Sequence, residues 1–310
     1  MPKETYALGR RNEIIKVQDA QIKQLYKEAA EEVADRANFF MNRDNISSVL
    51  RTQYLSELSE QLRQRMESID NKTQNIILNG MRNVSSSVVK ENAERLLRMG
   101  FTNVIASTSY LYVPDDIVRE LVSGKLYEGR WSLSRAIWSD NKAKLSEIDS
   151  IIAKGVAENK STYEIAKDLE KYVRPGARKP WDWGKVYPGS RKVIDYCAQR
   201  LSRTMVQHAY QESFVRVTKN NPFIDSYQWL ASGGDRMCDL CAERDGKIYS
   251  KDELPLDHPN GMCTFVVVMS KSLEEVGSDL HDWMMGEGDE ALNREIDKFA
   301  NDLTKTKYFQ

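Results

Sequence analysis

Three of the four cysteines and one of the three histidines lie in a single stretch near the end of this 310-residue chain. Two of those cysteines have the spacing Cys238-x-x-Cys241. A C-x2-C turn lets two thiolates bind one ion from a single loop, and a later histidine and cysteine can complete a tetrahedral Cys3His site. The sequence therefore predicts a metal site whose ligands are Cys238, Cys241, His258 and Cys263.

Zinc is the ion that this ligand set favours, because thiolates and imidazole are soft ligands and no run of carboxylates forms a hard-cation site. Four protein ligands leave no open position, so we expect a structural ion that stabilises the polar segment from Ala242 to Pro255. Cys197 is not expected to take part. The alternative is that the four residues are unrelated, with a reduced CxxC on a loop and His258 capping a turn.

Sequence patterns of common enzyme sites are absent: the chain has no phosphate-binding loop, no dinucleotide fingerprint, no nucleophile elbow and no H-E-x-x-H. Its CxxC precedes the histidine, whereas zinc deaminases have the reverse order. Asp257-His258-Pro259 resembles the start of an HNH nuclease motif, but no asparagine stands between Asn260 and His281. We therefore expect a protein that is not an enzyme, with a metal-dependent nuclease or a toxin-like effector as the alternative.

The composition is that of an ordinary soluble protein, with 41% hydrophobic and 29% charged residues and a formal net charge of -1. No apolar run approaches the roughly 18 residues that span a bilayer, and the N-terminal residues lack the apolar centre of a signal peptide. We expect a cytosolic protein without a membrane span. Because thiols stay reduced there, the cysteine cluster is expected to bind metal and not to form disulfides.

Long helices are predicted for the first hundred residues, since no proline lies between Pro2 and Pro114. Apolar residues recur there at helical spacing. The three stripes run from Ile15 to Phe40, from Leu50 to Ile69 and from Val84 to Leu96, with a break at Asn42–Asn45 and a glycine stop at Gly100. Such helices bury one face, either against each other as a hairpin or against another protein.

The middle of the chain is also predicted to be largely helical. Phe101–Val113 is interpreted as a loop or a short strand, and Pro114 is expected to open a helix. Further helices are predicted over Trp131–Val156 and from Ser161, which forms a capping box with Glu164.

A basic segment rich in proline, glycine and tryptophan follows, from Val173 to Ser190. Basic and aromatic residues together suit phosphate contact and base stacking, so the segment is a candidate for contact with DNA. The alternative is a solvated linker whose tryptophans pack on a neighbouring domain. The candidate nucleic-acid residues are Arg174, Arg178, Lys179, Lys185, Arg191 and Lys192.

Beyond the linker, a helix from Ser190 to about Lys219 and three short strands are predicted to form a small α+β module around the metal knuckle. The strands are Ser226–Ala231, Gly246–Tyr249 and Thr264–Met269. The polar tail from Ser272 to Gln310 is expected to be helical, with a loop at Gly286–Gly288.

The predicted fold class is therefore mainly α, with long N-terminal helices, a helical middle region and a small C-terminal α+β module that holds a structural metal knuckle. We expect five regions along the chain. They are a long-helix domain over 1–110, a helical middle region over 111–172, the basic linker over 173–189, the metal-knuckle module over 190–271 and a polar helical tail over 272–310.

The region from Trp131 to Val268 resembles the phage head-morphogenesis or minor head proteins, often called Mu F-like. The residues that carry the resemblance are Arg203-Thr204, Trp229, Cys238-x-x-Cys241, Asp245-Gly246, Pro255-x-x-His258-Pro259 and Cys263. Members often carry C-x-C shortly after the His-Pro, where this chain has Gly261-Met262-Cys263 and one cysteine, so the identity of the fourth ligand stays open.

The resemblance implies a minor structural component of a tailed-phage head, located in the virion and assembled in the host cytoplasm. Such a protein is present in few copies and is associated with the portal and the capsid interior. This location would allow contact with packaged DNA. We expect the apolar faces of the N-terminal helices to be completed by the portal or by another copy of the chain.

Overall fold

The computed structural model describes residues 5–40, 48–101, 108–127, 133–158, 160, 164–165, 167–169, 194–233 and 237–304. The fold is mainly helical with a small C-terminal sheet, as predicted. The helices are α1 (Tyr6–Phe40), α2 (Ser48–Arg98), α3 (Thr108–Ser123), α4 (Leu133–Ala157), α5 (Ile194–Thr218), α6 (Asp239–Arg244), α7 (Leu273–Met285) and α8 (Glu290–Thr304). The strands are β1 (Ser226–Leu230), β2 (Ile248–Ser250) and β3 (Thr264–Val268).

The chain divides into two compact units. Unit 1 contains Met1–Ile14, Gly80–Leu121 and Arg203–Gln310, and unit 2 contains Ile15–Asn79 and Val122–Ser202. The helices α1, α2, α3 and α5 each contribute residues to both. The finer division into five regions along the sequence stays a prediction.

Unit 2 has a core built from the predicted apolar stripes of α1 and α2. Side chains at helical spacing on the two helices are buried in one cluster, so packing within the chain buries them. The expectation that the portal or another copy of the chain completes these apolar faces is therefore wrong for the residues of this cluster. Leu50, at the start of the second stripe, is 46% exposed and lies outside this cluster. The cluster comprises Ile22, Tyr26, Ala29, Ala30, Val33, Leu55, Leu58, Leu62, Met66, Ile69, Ile148, Ile165, Leu169 and Ala198.

A buried ion pair lies in the same unit. Lys144 Nζ is 3.2 Å from Asp70 Oδ1, and the side chains are only 1% and 9% exposed. The ammonium also lies 5.2 Å from the centre of the Tyr26 ring, within the range of a cation–π contact. Desolvation makes such a pair a weak source of stability, although removing one partner leaves an uncompensated buried charge.

The second and third stripes lie on one continuous helix, because α2 runs through Asp70–Gly80 without a break. Its predicted stop is confirmed. Gly100 follows the helix with a φ of 93°, and the backbone N–H of Phe101 donates to the carbonyl of Leu96. A left-handed residue after the last turn is the usual helix ending, and glycine adopts it without strain.

The prediction that Pro114 opens a helix is wrong. Helix α3 begins at Thr108, so Pro114 lies inside it, and the chain from Thr108 to Val113 is neither loop nor strand. An internal proline removes one backbone hydrogen bond. The helix continues across it because Ile117 and Leu121 are completely buried further along.

Helices predicted elsewhere agree with the structure. Helix α4 matches the segment from Trp131, α5 matches the helix after the linker, and α7 and α8 form the predicted helical tail around Gly286–Gly288. The Asn42–Asn45 break, the capping residue Ser161 and the basic linker lie outside the described residues. None of the described helices has an apolar window that could cross a bilayer.

The sheet consists of the three predicted strands in the order β2-β1-β3, and both pairings are antiparallel. Alternation along β1 places Tyr227 and Trp229 in the interior, where each is fully buried. The Trp229 ring packs edge-on against Phe265 of β3 at 5.0 Å and against Tyr249 of β2 at 6.3 Å. One central strand with aromatic residues on its inner face therefore fixes the register of the sheet.

Candidate metal centre

Four side chains from three parts of unit 1 meet beside the sheet and could hold a metal ion. His258 Nε2 lies 3.3 Å from Cys238 Sγ and 3.0 Å from Cys241 Sγ, and Cys241 Sγ lies 3.3 Å from Cys263 Sγ. Cys241 and Cys263 are buried, whereas Cys238 is exposed. The predicted ligands are therefore brought together.

The CxxC pair is positioned by the short helix α6. Cys238 precedes this helix in an extended conformation and its carbonyl accepts from Ala242 N, which turns the chain so that Cys241 follows on the first turn. At the far end, Asp245 Oδ1 accepts from Ala231 N at 2.8 Å. Gly246, at φ 75°, then donates to the carbonyl of Trp229. The two thiols are thus fixed relative to β1.

His258 and Cys263 lie in a loop held by one face of α5. Residues of α5 spaced by three and four positions share that face, and here they are polar and buried. Gln211 Nε2 donates to the Pro255 carbonyl at 2.6 Å, and Asn260 N donates to Thr204 Oγ1 at 2.9 Å. The set on this face consists of Thr204, Gln207, His208 and Gln211.

Asp257 is the centre of the hydrogen-bond network in this loop. Its Oδ1 accepts from His258 N at 2.8 Å, and its Oδ2 accepts from Cys263 N at 3.1 Å and Gln207 Nε2 at 2.9 Å. One buried carboxylate therefore binds the backbone of two ligands. A Cβ at Gly261 would lie 2.2 Å from this carboxylate, so only glycine fits there.

A cation from the first helix reaches the same network. Arg11 Nη1 donates to Gln207 Oε1 at 2.7 Å and to the Cys263 carbonyl at 2.9 Å, while its guanidinium lies 5.1 Å from the Tyr210 ring centre. Gln207 thus connects the buried Arg11 to the buried Asp257. The two opposite charges compensate each other through a shared amide.

Burial sets the protonation of the neighbouring groups. It lowers the pKa of His208, so the ring is neutral at pH 7, and its Nε2 donates to the Asp257 carbonyl at 2.9 Å. Burial and the adjacent thiols raise the pKa of Cys241, and burial also raises that of Cys263. Crowded thiols stay protonated by themselves, whereas a bound cation favours the thiolates.

The surroundings of Cys263 fit a metal-bound thiolate. The Trp229 side chain opposes the rise of the pKa of this thiol, while the buried indole N–H has no hydrogen-bond partner among the described residues. A buried N–H of this kind gains an acceptor when the thiol becomes a thiolate. Tetrahedral bonds of about 2.0–2.3 Å separate ligand atoms by about 3.5–3.8 Å, which the present spacing approaches.

Two overlapping groups of side chains in the described chain meet the geometric requirements for holding an ion. One is Cys238, Cys241 and His258, and the other is Cys241, Asp257 and Cys263. Neither includes His281, whose side chain is 68% exposed beside Asp282. His281, which follows Asp257-His258-Pro259 in the sequence, is therefore not part of this cluster.

Sequence reasoning missed the residues that hold the ligands in place: Arg11, Gln207, His208, Gln211 and the hydrogen-bonding role of Asp257. The available signal was a set of polar residues at helical spacing on α5. The candidate DNA residues Arg174, Arg178, Lys179, Lys185, Arg191 and Lys192 lie outside the described part of the chain.

Comparisons with protein-family models, with curated proteins and with solved structures give no match to this chain.

Proposed function

We propose that this chain is a minor structural protein of a tailed-bacteriophage head, in which one zinc ion stabilises the C-terminal module. The observation that carries the proposal is the cluster of Cys238, Cys241, His258 and Cys263, together with the hydrogen bond from Asn260 N to Thr204 Oγ1 on α5. These residues are among those that resemble the minor head protein pattern. Their chemistry is that of a closed structural site.

Zinc is proposed because three thiols and one imidazole form a soft, four-ligand set. The protein purified without chelator is expected to contain one zinc per chain by elemental analysis. Substitution of cobalt should give the visible absorption of a tetrahedral thiolate site. Protein that contains no metal would refute the zinc assignment, and octahedral cobalt spectra would refute the ligand set.

The assembly role is tested in cells infected by the phage that encodes the chain. A tagged chain is expected to co-purify with the portal and to be present in purified virions in few copies. Recovery of the tagged chain only outside virions and without the portal would contradict the proposal. A nuclease would instead cleave plasmid DNA when Mg2+ or Zn2+ is added, and we expect no cleavage.

Contact with packaged DNA is a separate part of the proposal, and it rests on the basic segment from Lys171 to Arg203. Binding through phosphates should be independent of sequence and steeply dependent on salt. Replacing Arg174, Arg178, Lys179 and Lys185 by alanine should weaken binding and flatten the salt dependence. Unchanged affinity in this variant would identify the segment as a linker.

A further inference from the structure

Arg11, on the first helix, contacts the loop that carries two of the candidate metal ligands. The residue is only 3% exposed. Nη1 donates to the carbonyl of Cys263 at 2.9 Å, and Nη2 donates to the carbonyl of Met262 at 3.3 Å. One guanidinium on α1 therefore binds two consecutive carbonyls that lie 252 and 251 residues further along the chain.

These contacts help to fix the backbone of one ligand on both sides of its Cα. The Cys263 carbonyl accepts from Arg11 and, at 2.7 Å, from Gln207 Nε2. The Cys263 N–H donates to an oxygen of Asp257 at 3.1 Å. Because both peptide groups next to the Cys263 Cα are held, the direction in which its thiol points is set by the backbone. Arg11 thus acts on the site through Cys263 without being a ligand itself.

The charge of an occupied site gives Arg11 a second role. Three thiolates and a neutral imidazole around Zn2+ carry one net negative charge, and the buried carboxylate of Asp257 adds another. Negative charge away from water is costly unless a cation compensates it. Arg11 is buried and shares the amide of Gln207 with Asp257, so its positive charge favours the zinc-bound state.

Two other arginines contact the same loop. Arg203 Nη1 donates to Asn260 Oδ1 at 3.4 Å, and Arg244 Nη1 donates to the Leu256 carbonyl at 3.3 Å. Both residues are half-buried, and both belong to the part of the chain that contains the loop. Of the three, Arg11 is the arginine that connects the loop to the first helix.

The segment around Arg11, residues 6–14, is docked on unit 1 by further contacts. Ala7 N donates to Glu91 Oε2 of α2 at 2.7 Å, and the Arg11 guanidinium lies over the Tyr210 ring of α5. Ala7 and Ile14 are both buried. The first turns of α1 are therefore packed at both ends, with Arg11 between them.

We propose, on the basis of the zinc ion of the proposed function, that residues 6–14 complete the zinc site, so that zinc binding and docking of the first turns of α1 stabilise each other. Arg11 is the positioning residue that couples them. Such coupling is reciprocal: the factor by which undocking of the segment weakens zinc binding is the factor by which loss of zinc weakens docking. Whatever detaches the start of the long first helix therefore lowers the affinity for zinc.

The test compares variants of the full-length protein by competition for zinc with a chromophoric chelator. Arg11→Met keeps an unbranched side chain but removes the charge and the donors. Partners of metal ligands typically contribute about 10–100-fold in affinity, and we expect a loss in that range. Arg11→Lys keeps the charge without the planar fork and should lie between Arg11→Met and the parent.

Two controls separate positioning from a general loss of stability. Arg10→Met alters the neighbouring arginine, whose side chain is 40% exposed and pairs with Glu13, and it should bind zinc as the parent does. Ile296→Ala removes a fully buried side chain on α8 and should lower thermal stability without weakening zinc. Parent-like zinc affinity in Arg11→Met would overturn the coupling, and so would an equal loss of zinc affinity in Ile296→Ala.

Reciprocity gives a readout on the parent protein that remains if Arg11→Met does not fold. Removing zinc should accelerate hydrogen exchange at the amides of residues 10–14 about tenfold or more, while the amides of residues 22–33 in the core of unit 2 change little. Unchanged exchange at residues 10–14 would overturn the coupling and leave the zinc assignment intact. A parent protein that contains no zinc would instead refute the proposed function.

Discussion

The core of unit 2 and the candidate metal centre of unit 1 are stabilised in different ways. In unit 2, many apolar side chains at helical spacing share one cluster, from Ile22 on α1 to Ile165 in the middle region. At the candidate metal centre, a few thiols and one imidazole are held by buried polar side chains such as Gln207 and Asp257. The first arrangement distributes stability over many contacts, whereas the second concentrates it in a few residues.

Removing one metal ligand should produce the largest effect and should be confined to the C-terminal module. Cys241→Ser is expected to abolish zinc binding, and structural zinc contributes about 10–16 kcal/mol of apparent folding energy in small modules. The near-ultraviolet signal of the buried Trp229 should be lost, while far-ultraviolet dichroism of the long helices persists. Cys197→Ser is the control and should retain zinc.

If Cys241→Ser also abolished the far-ultraviolet dichroism of the long helices, those helices and the C-terminal module would unfold as one cooperative structure. The proposed difference between the two ways of stabilisation would then be wrong. Chelation of the parent protein should give the same result as the substitution. A chelated protein that keeps the Trp229 signal would show that polar side chains alone stabilise the module.

The corresponding change in unit 2 should cost less and leave the metal in place. Met66 is fully buried in the core cluster, so Met66→Ala should lower the free energy of unfolding by about 2–5 kcal/mol. Leu50→Ala is the matched control on the same helix, since its side chain is 46% exposed. The measurement is denaturant unfolding followed by far-ultraviolet circular dichroism, with the zinc content of each variant measured in parallel. Met66→Ala should lose stability and Leu50→Ala should lose much less, and both should keep their zinc.

This contrast also explains which parts of the structure could be predicted from the sequence. An apolar stripe repeats the same signal every three or four residues, so α1 and α2 can be predicted from the spacing of their apolar residues. One exception, the exposed Leu50, does not change that prediction. The ligands follow from the chemistry of cysteine and histidine. The loop partners of Gln207 and Gln211 lie 44–56 residues further along the chain, and Arg11 lies 196 residues before Gln207, so no local pattern marks these pairings.

The prediction that a helix begins at Pro114 was wrong for a related reason. A proline is favoured in the first turn, and this local preference placed the helix start there. Burial of Ile117 and Leu121 is a tertiary effect that sustains the helix on both sides of the proline. Local preference therefore determines a boundary only where packing does not oppose it.

A smaller effect is expected when the carboxylate that holds the ligands is altered without removing a ligand. Asp257→Asn keeps the shape but replaces one acceptor oxygen with a donor, which faces either His258 N or both Cys263 N and Gln207 Nε2. Partners of metal ligands typically contribute about 10–100-fold in affinity, so competition with a chromophoric chelator should show weaker zinc binding by that factor. The exposed Asp252→Asn is the control.

The stoichiometry in Asp257→Asn should remain one zinc per chain, with an unchanged cobalt spectrum. A changed spectrum would mean that Asp257 is itself a ligand, as its distance to Cys241 and Cys263 permits. Parent-like affinity would mean that the thiols and His258 are positioned without this carboxylate.

The smallest expected effect concerns the start of α7, where Ser272 and Glu275 form a capping box. Ser272 N donates to Glu275 Oε2 at 2.7 Å, and this backbone contact lowers the pKa of the carboxyl below its ordinary value of 4.5. A depressed carboxyl pKa stabilises the folded state above the unfolded value, and that stabilisation is lost as the pH falls through the folded value. Hydrogen exchange of the first α7 amides should therefore be faster in Glu275→Gln than in the parent at pH 7. The two proteins should converge as the pH falls below the folded pKa, whereas a difference that stays the same throughout the acid titration of the carboxyl would show that the charge of Glu275 does not contribute to the cap.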